Sequence, residues 1–138
     1  KLAVDYIPFW QGVAADPGHE MFGFAEKIVA AKKILFTKTI DKSVWENTEL
    51  AKGELREEIK KIKNQKGKDI IVYGGTSFVA SLVKAGLIDE YHFFINPVAI
   101  GKGESVFSHL DDFKNLKLKK EAITYPSGIV LHIYENNN

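Results

Sequence analysis

Near the middle of the chain, Ile70-Ile71-Val72-Tyr73-Gly74-Gly75-Thr76-Ser77 carries the strongest chemical signal. A short apolar run ends in paired glycines, and a segment with helical spacing follows. Glycine has no Cβ, so two in a row let backbone N–H groups approach a ligand closely. A helix beginning there presents unpaired N–H donors and a partial positive charge. Thr76 and Ser77 add hydroxyl donors or an N-cap. Together these residues can hold a diphosphate at the carboxyl end of a strand, where open α/β sheets bind ligands. They can equally form a tight strand-to-helix turn and nothing more. The motif is neither a Walker A loop nor a full Rossmann fingerprint, since a third glycine and a following lysine are both missing.

Two further segments qualify. Thr37-Lys38-Thr39 follows the apolar residues Ile34-Leu35-Phe36 and places two hydroxyls and an ammonium at a strand end. That set suits a 2′-phosphate, and so NADP over NAD, or else it is an ordinary polar loop. Ile100-Gly101-Lys102-Gly103-Glu104-Ser105 is either the lip of a pocket or a bend that returns Phe107 to the core, and the bend is the preferred reading. Other chemistry finds little support. No cysteine is present, which excludes disulfides, thiolate catalysis and zinc–thiolate sites. His19, His92, His109 and His132 have no metal-ligand spacing, so no metal is expected. Asp89-Glu90 and Asp111-Asp112 suit caps and turns better than paired acid–base work. Ser77 lacks the second glycine of a nucleophile elbow. No catalytic residue is assigned.

The elements that must position these residues follow from periodicity. Residues 2–10 can form one helical face despite Pro8, 11–18 read as a loop turning at Asp16-Pro17-Gly18, and 19–31 read as a helix. Strands are expected at 34–36 and 48–51. Residues 53–65 form the clearest amphipathic helix, with Leu55, Ile59 and Ile62 on one face. Residues 69–73 are expected as a strand buried on both faces. A helix over 76–85 closes at Gly86. A strand over 91–96 stops at Pro97. Residues 116–125 and 129–134 alternate around Pro126-Ser127-Gly128 as an antiparallel hairpin, and 136–138 are expected to fray. Strands alternating with helices, then a hairpin, predict an α/β domain: a mixed, mostly parallel sheet flanked by helices with an antiparallel end.

Bulk composition fits one ordinary globular domain over residues 1–138, with 45% hydrophobic and 27% charged residues. The net charge of +1 gives no reason to expect nucleic acid as partner. Lys60, Lys61 and Lys63 end a helix that opens with Glu54, Glu57 and Glu58, an order that suits the helix dipole. No apolar run approaches the ~20 residues of a membrane span, so no membrane partner is expected and the cytoplasm is the default compartment.

Three segments then resemble a known family. Val72-Tyr73-Gly74-Gly75-Thr76-Ser77-Phe78, then Ala85-Gly86-Leu87-Ile88-Asp89-Glu90-Tyr91, then Pro97-Val98-Ala99-Ile100-Gly101-Lys102-Gly103 with Phe107, are similar to the riboflavin-biosynthesis reductase C-terminal domain, which shares the dihydrofolate reductase fold. The resemblance implies NADPH as hydride donor and a pyrimidine- or pterin-type substrate. It implies that Gly74, Gly75, Thr76 and Ser77 lie at the cofactor diphosphate, with Thr37 and its neighbours near the adenosine end. It also implies a homodimer. Members of the family begin with a strand, a loop and a second strand that ends in a Gly-Arg-Lys turn, and Lys1 resembles the lysine of that turn. The chain is therefore expected to be an N-terminally incomplete dihydrofolate-reductase-like domain. Two alternatives stay open: a binding or structural module inactive by itself, and a different phosphate-ligand enzyme, such as one acting on a sugar nucleotide.

Overall fold

The computed structural model describes residues 2–137. Lys1, compared above to a turn lysine, and Asn138, the end of the expected frayed tail, lie outside them. The chain divides into two compact units, Lys1–Gln65 and Lys66–Asn138.

The first unit starts with helix α1 (Leu2–Ala14), four residues longer than expected. Pro8 lies inside it and supplies no N–H for the carbonyl one turn earlier, at Val4, a residue exposed enough for water to take over. A loop turns at Asp16, whose carboxylate accepts from the Gly18 amide at 3.0 Å, and leads to α2 (Phe22–Ala30). Trp10 and Val13 of α1 bury themselves against Ala25 of α2, with Tyr6, Ile28 and Val29 at the margin. Trp10 meets Tyr6, Phe9 and Phe24 edge-on at 5.1–6.1 Å between ring centres. The open carbonyls at the end of α2 are closed by one ammonium: Lys33 Nζ donates to Val29 and Ala31 at 2.8 Å and to Ile28 at 3.4 Å. Lys33 also opens β1 (Lys33–Phe36), which pairs in parallel with β2 (Thr48–Ala51), Phe36 opposite Ala51.

Helix α3 (Leu55–Lys63) follows the expected charge order. The Glu54 carboxylate caps it, accepting from the Arg56 amide at 2.8 Å and the Glu57 amide at 3.2 Å. Ion pairs Glu57–Lys60 and Glu58–Lys61 run along its surface, while Leu55, Ile59 and Ile62 are half-buried.

The second unit holds α4 (Thr76–Lys84), β3 (Glu90–Ile95), β4 (Leu116–Leu118), β5 (Ile123–Thr124) and β6 (Val130–Asn136). Helix α4 ends as the sequence predicts. Gly86 takes φ +68°, the Leu87 amide bonds to Leu82 O and the Gly86 amide to Val83 O, both at 3.0 Å. This is a Schellman closure, with Leu82 and Leu87 both buried. All the other strands of the unit pair with β6 in antiparallel fashion. The hairpin at residues 126–128 is present, its turn closed by Gly128 N to Tyr125 O at 2.9 Å. Its outer arm is broken, however: β4 pairs Leu118 with Tyr134, and β5 pairs Ile123 with Leu131, so two extra residues bulge out between them. Asn136, expected to fray, ends β6 and donates from Nδ2 to Ile88 O at 2.7 Å.

One expectation of the sheet needs correcting. Among the described residues, parallel pairing is confined to β1 and β2, and the larger sheet is antiparallel. Residues 69–73, expected as a doubly buried strand, join no ladder. Ile71 is 85% exposed and Tyr73 61%. Composition gave this segment strand character, but a strand buried on both faces needs a sheet around it, and among the described residues the segment pairs with no strand. The fold is thus mixed α/β, and among the described residues no helix is long and apolar enough to cross a membrane.

Candidate functional site

Gly74, Gly75, Thr76 and Ser77 open α4, with Gly75 at the N-cap position. The Phe78 and Val79 amides bond back to Gly75 O at 3.0 and 3.1 Å. The amides of Gly75, Thr76 and Ser77 have no acceptor among the described residues, and no side chain caps them. These are the orphan donors every helix start leaves.

The two glycines do different jobs. A Cβ on Gly74 would sit 2.9 Å from Phe78 Cδ1, so Gly74 is needed for Phe78 to fold back against the turn. A Cβ on Gly75 would meet nothing within 4 Å. Nor does Gly75 need its freedom for conformation, since φ −66° and ψ 157° suit any residue. Packing inside the chain therefore explains Gly74 and leaves Gly75 facing open space.

The next two residues, Thr76 and Ser77, line a cleft of about 420 Å³ together with Gly103, Glu104, Ser105 and Ser108. The loop after β3 supplies its second wall. Gly101, at φ +67°, lets Lys102 N reach Ile100 O at 2.7 Å in a γ-turn that L side chains strain to adopt. Phe107 then anchors the loop against Tyr91 and Phe93, with ring centres 6.2 and 5.8 Å away. The Phe107 amide donates to Ser105 Oγ at 3.1 Å. The following residues are tied to α4: Lys84 pairs with Asp111 at 2.7 Å, and Ser81 Oγ, which donates to Ser77 O, lies 3.5 Å from His109 Nδ1. The loop is thus both of the things the sequence allowed, a bend that returns Phe107 to the core and one wall of a cleft. Sequence reading missed Ser108, which has no motif around it, and gave Glu104 no role of its own.

Electrostatically the cleft is uneven. Helix α4 contributes its positive end, and the lining hydroxyls can donate or accept. Its only charged lining side chain is Glu104, and none is basic. Among the described residues, no group of three His, Asp or Glu side chains is placed to hold a metal. Beneath the loop, burial pushes the Tyr91 pKa up, with Asp89 adding to it, and the Tyr91 hydroxyl has no partner among the described residues.

Thr37, Lys38 and Thr39 belong to the first unit. Thr37 N continues the β1 edge to Ala51 O at 3.2 Å. Its hydroxyl oxygen accepts from the amides of Thr39 at 3.2 Å and Ile40 at 3.1 Å, which closes a turn. Thr37 is therefore largely a turn-former. Lys38 and Thr39 are exposed, and their side chains make no hydrogen bond among the described residues.

This architecture has relatives. The chain is 33% identical over 106 residues to the uncharacterized protein YyaP of Bacillus subtilis (strain 168), covering 77% of this chain and 55% of that protein. It is 34% identical over 59 residues to the uncharacterized protein YwjB of the same organism, covering 43% of this chain and 34% of that one. The chain thus spans about half the length or less of these relatives. A crystal structure from Shewanella sp. PV-4, of a protein provisionally assigned to riboflavin biosynthesis, superposes with a TM-score of 0.64 at 19% identity, over 76% of this chain and 60% of that one. At that identity the likeness is one of fold. Finally, the pattern of the RibD C-terminal domain matches residues 21–131, which include α4, its glycine turn and the loop that faces it. This chain belongs to the RibD C-terminal domain family.

Proposed function

We propose that the chain is the cofactor-binding part of an NADPH-dependent reductase, of the riboflavin-biosynthesis or dihydrofolate-reductase-like kind, acting on a pyrimidine- or pterin-type small molecule. The observation that carries this is the start of α4: three amides without acceptors and a glycine facing open space, followed by Thr76 and Ser77 in the wall of a polar cleft. A dinucleotide diphosphate fits that donor set. Gly75, Thr76 and Ser77 would hold it by backbone amides and hydroxyls, as helix N-termini hold phosphates elsewhere. Lys38 and Thr39, with Thr37 shaping their turn, would meet a 2′-phosphate and favour NADPH over NADH. When bound, the nicotinamide supplies hydride, and the chain's share is to position the cofactor and exclude water. The reading includes a dihydrofolate-reductase-like domain, a homodimer and a cytoplasmic setting.

Calorimetric titration with NADPH and with NADH tests it. NADPH should bind more tightly. Gly75→Asp, which puts a carboxylate at the diphosphate position, should abolish binding of both, while Lys38→Ala should weaken NADPH alone. Equal binding of the two cofactors by wild type and Lys38→Ala would remove the 2′-phosphate role. Full NADPH affinity in Gly75→Asp would remove the α4 site.

A further inference from the structure

We propose that Glu104 reads a ribose hydroxyl, so that the cleft at α4 selects a nucleoside diphosphate over a bare diphosphate. This rests on the dinucleotide reading above and adds the residue that tells ligands apart.

The cleft offers two kinds of group. At α4, the free amides of Thr76 and Ser77 donate and favour negative charge. On the loop, Glu104 can only accept, and it carries a full negative charge in the same lining. It makes no hydrogen bond or ion pair among the described residues. The serines do not change the balance. Ser105 Oγ already accepts from the Phe107 amide, and Ser108 and Ser77 are neutral.

A ligand made only of phosphate meets the amides well and Glu104 badly, since like charges in one cleft repel. A ligand with phosphate at one end and a hydroxyl-bearing sugar at the other satisfies both walls. Its hydroxyl donates to the carboxylate in a charge-assisted bond, the stronger class of hydrogen bond. Size agrees. At about 420 Å³ the cleft is far larger than the roughly 30 Å³ share of one water, leaving room for a sugar beside the phosphates. The loop that carries Glu104 is anchored by Phe107 against Tyr91 and Phe93, and by the Lys84–Asp111 pair a few residues on. The loop's downstream end is thus held against β3 and α4, while Glu104 itself stays exposed.

The test is a calorimetric titration of the whole chain, as wild type, Glu104→Gln and Glu104→Ala, with ADP-ribose and separately with inorganic diphosphate. EDTA is present throughout, so that no divalent cation can bridge carboxylate and phosphate. Glu104→Ala should weaken ADP-ribose by about tenfold, the size of a lost hydrogen bond to a charged group. It should tighten inorganic diphosphate by about threefold, as expected when an exposed like charge is removed. Glu104→Gln should tighten diphosphate as much but weaken ADP-ribose less, because it keeps a carbonyl acceptor. The opposite signs for the two ligands are the signature. If both tighten, Glu104 only repels, and if neither changes it is a bystander; either result overturns this assignment and leaves the α4 site standing. If the wild type binds neither ligand, the dinucleotide reading itself falls, and Glu104's role with it.

Discussion

Gly74 and Gly75 are neighbours with separable duties, and alanine at each should fail in a different way. At Gly74 the new methyl would lie 2.9 Å from Phe78 Cδ1, inside the contact distance that carbon atoms tolerate. The obstacle is an aromatic ring that is half-buried, so relief requires Phe78 or the turn to move. Overpacking of this kind costs about 1–3 kcal/mol, or a melting point lower by about 3–10 °C for a chain of this size. At Gly75 the methyl would meet nothing within 4 Å, and the backbone angles are ordinary for alanine. Reduced freedom of the unfolded chain favours alanine by about 0.4–1 kcal/mol, while its poorer N-cap character offsets a similar amount. Gly75→Ala should therefore melt within about 2 °C of wild type. Its loss should appear only in binding, because the methyl stands where the diphosphate must approach the amides. We expect NADPH affinity to fall about tenfold or more, equivalent to at least ~1.4 kcal/mol. Thermal melts of both variants, with NADPH titrations of Gly75→Ala, decide the matter. If Gly75→Ala destabilises as much as Gly74→Ala, or binds NADPH as wild type does, the division of labour is wrong.

Three other outcomes follow from the geometry. Tyr91→Phe removes a buried hydroxyl with no partner, so stability should hold or rise by up to about 1 kcal/mol; a clear loss in a urea melt would mean that the hydroxyl is satisfied in solution. Glu90 is held below the usual carboxylate range first by its hydrogen bond from Lys119 and next by His92 at 2.5 Å. A carboxylate with a depressed folded pKa contributes stability above its unfolded value near 4.5, and that contribution is lost as pH falls through the folded value. Urea midpoints followed from pH 7 to pH 3 should therefore fall less steeply in Glu90→Gln than in wild type, and parallel curves would show that the pair does not hold. Lys33→Met keeps the stem but strips the end of α2 of the ammonium that three carbonyls share. Desolvation, partly offset by Glu46, lowers the Lys33 pKa, so part of the gain is already spent. A net cost of about 1 kcal/mol in a thermal melt is expected, and no change would show that water serves those carbonyls equally well.

Local devices were readable from residue types because their causes are local. The Schellman end at Gly86 and the charge order of α3 need only neighbours within a turn or two, and both are where the sequence put them. The Gly128 turn is another such case. Residues 70–73 show the limit. β-branched residues announce strand character, but whether a ladder forms depends on partners that composition does not specify. The same limit applies at the cleft. The glycine turn was legible as a candidate, and the loop at residues 100–105 as a possible lip, but their meeting depends on Phe107 seating against Tyr91 and Phe93, a long-range event. The role of Thr37 was hidden for the opposite reason. Its side chain serves its own backbone, which a list of donors does not reveal.

The pairing pattern of β6 has a consequence for the order of events during synthesis. Among the described residues all the other strands of the antiparallel sheet bond to it, and β3 has no other strand neighbour. When β3 leaves the ribosome, roughly 35 residues separate Ile95 from Val130, its first available partner. At a synthesis rate of about 5–20 residues per second, β3 waits about two to seven seconds with Phe93, Phe94 and Ile95 unpaired. Helix α4, whose hydrogen bonds are all short-range, can form in microseconds during that interval. The nascent chain can thus form α4 before its antiparallel sheet, and β3 carries its apolar residues unpaired in the interval.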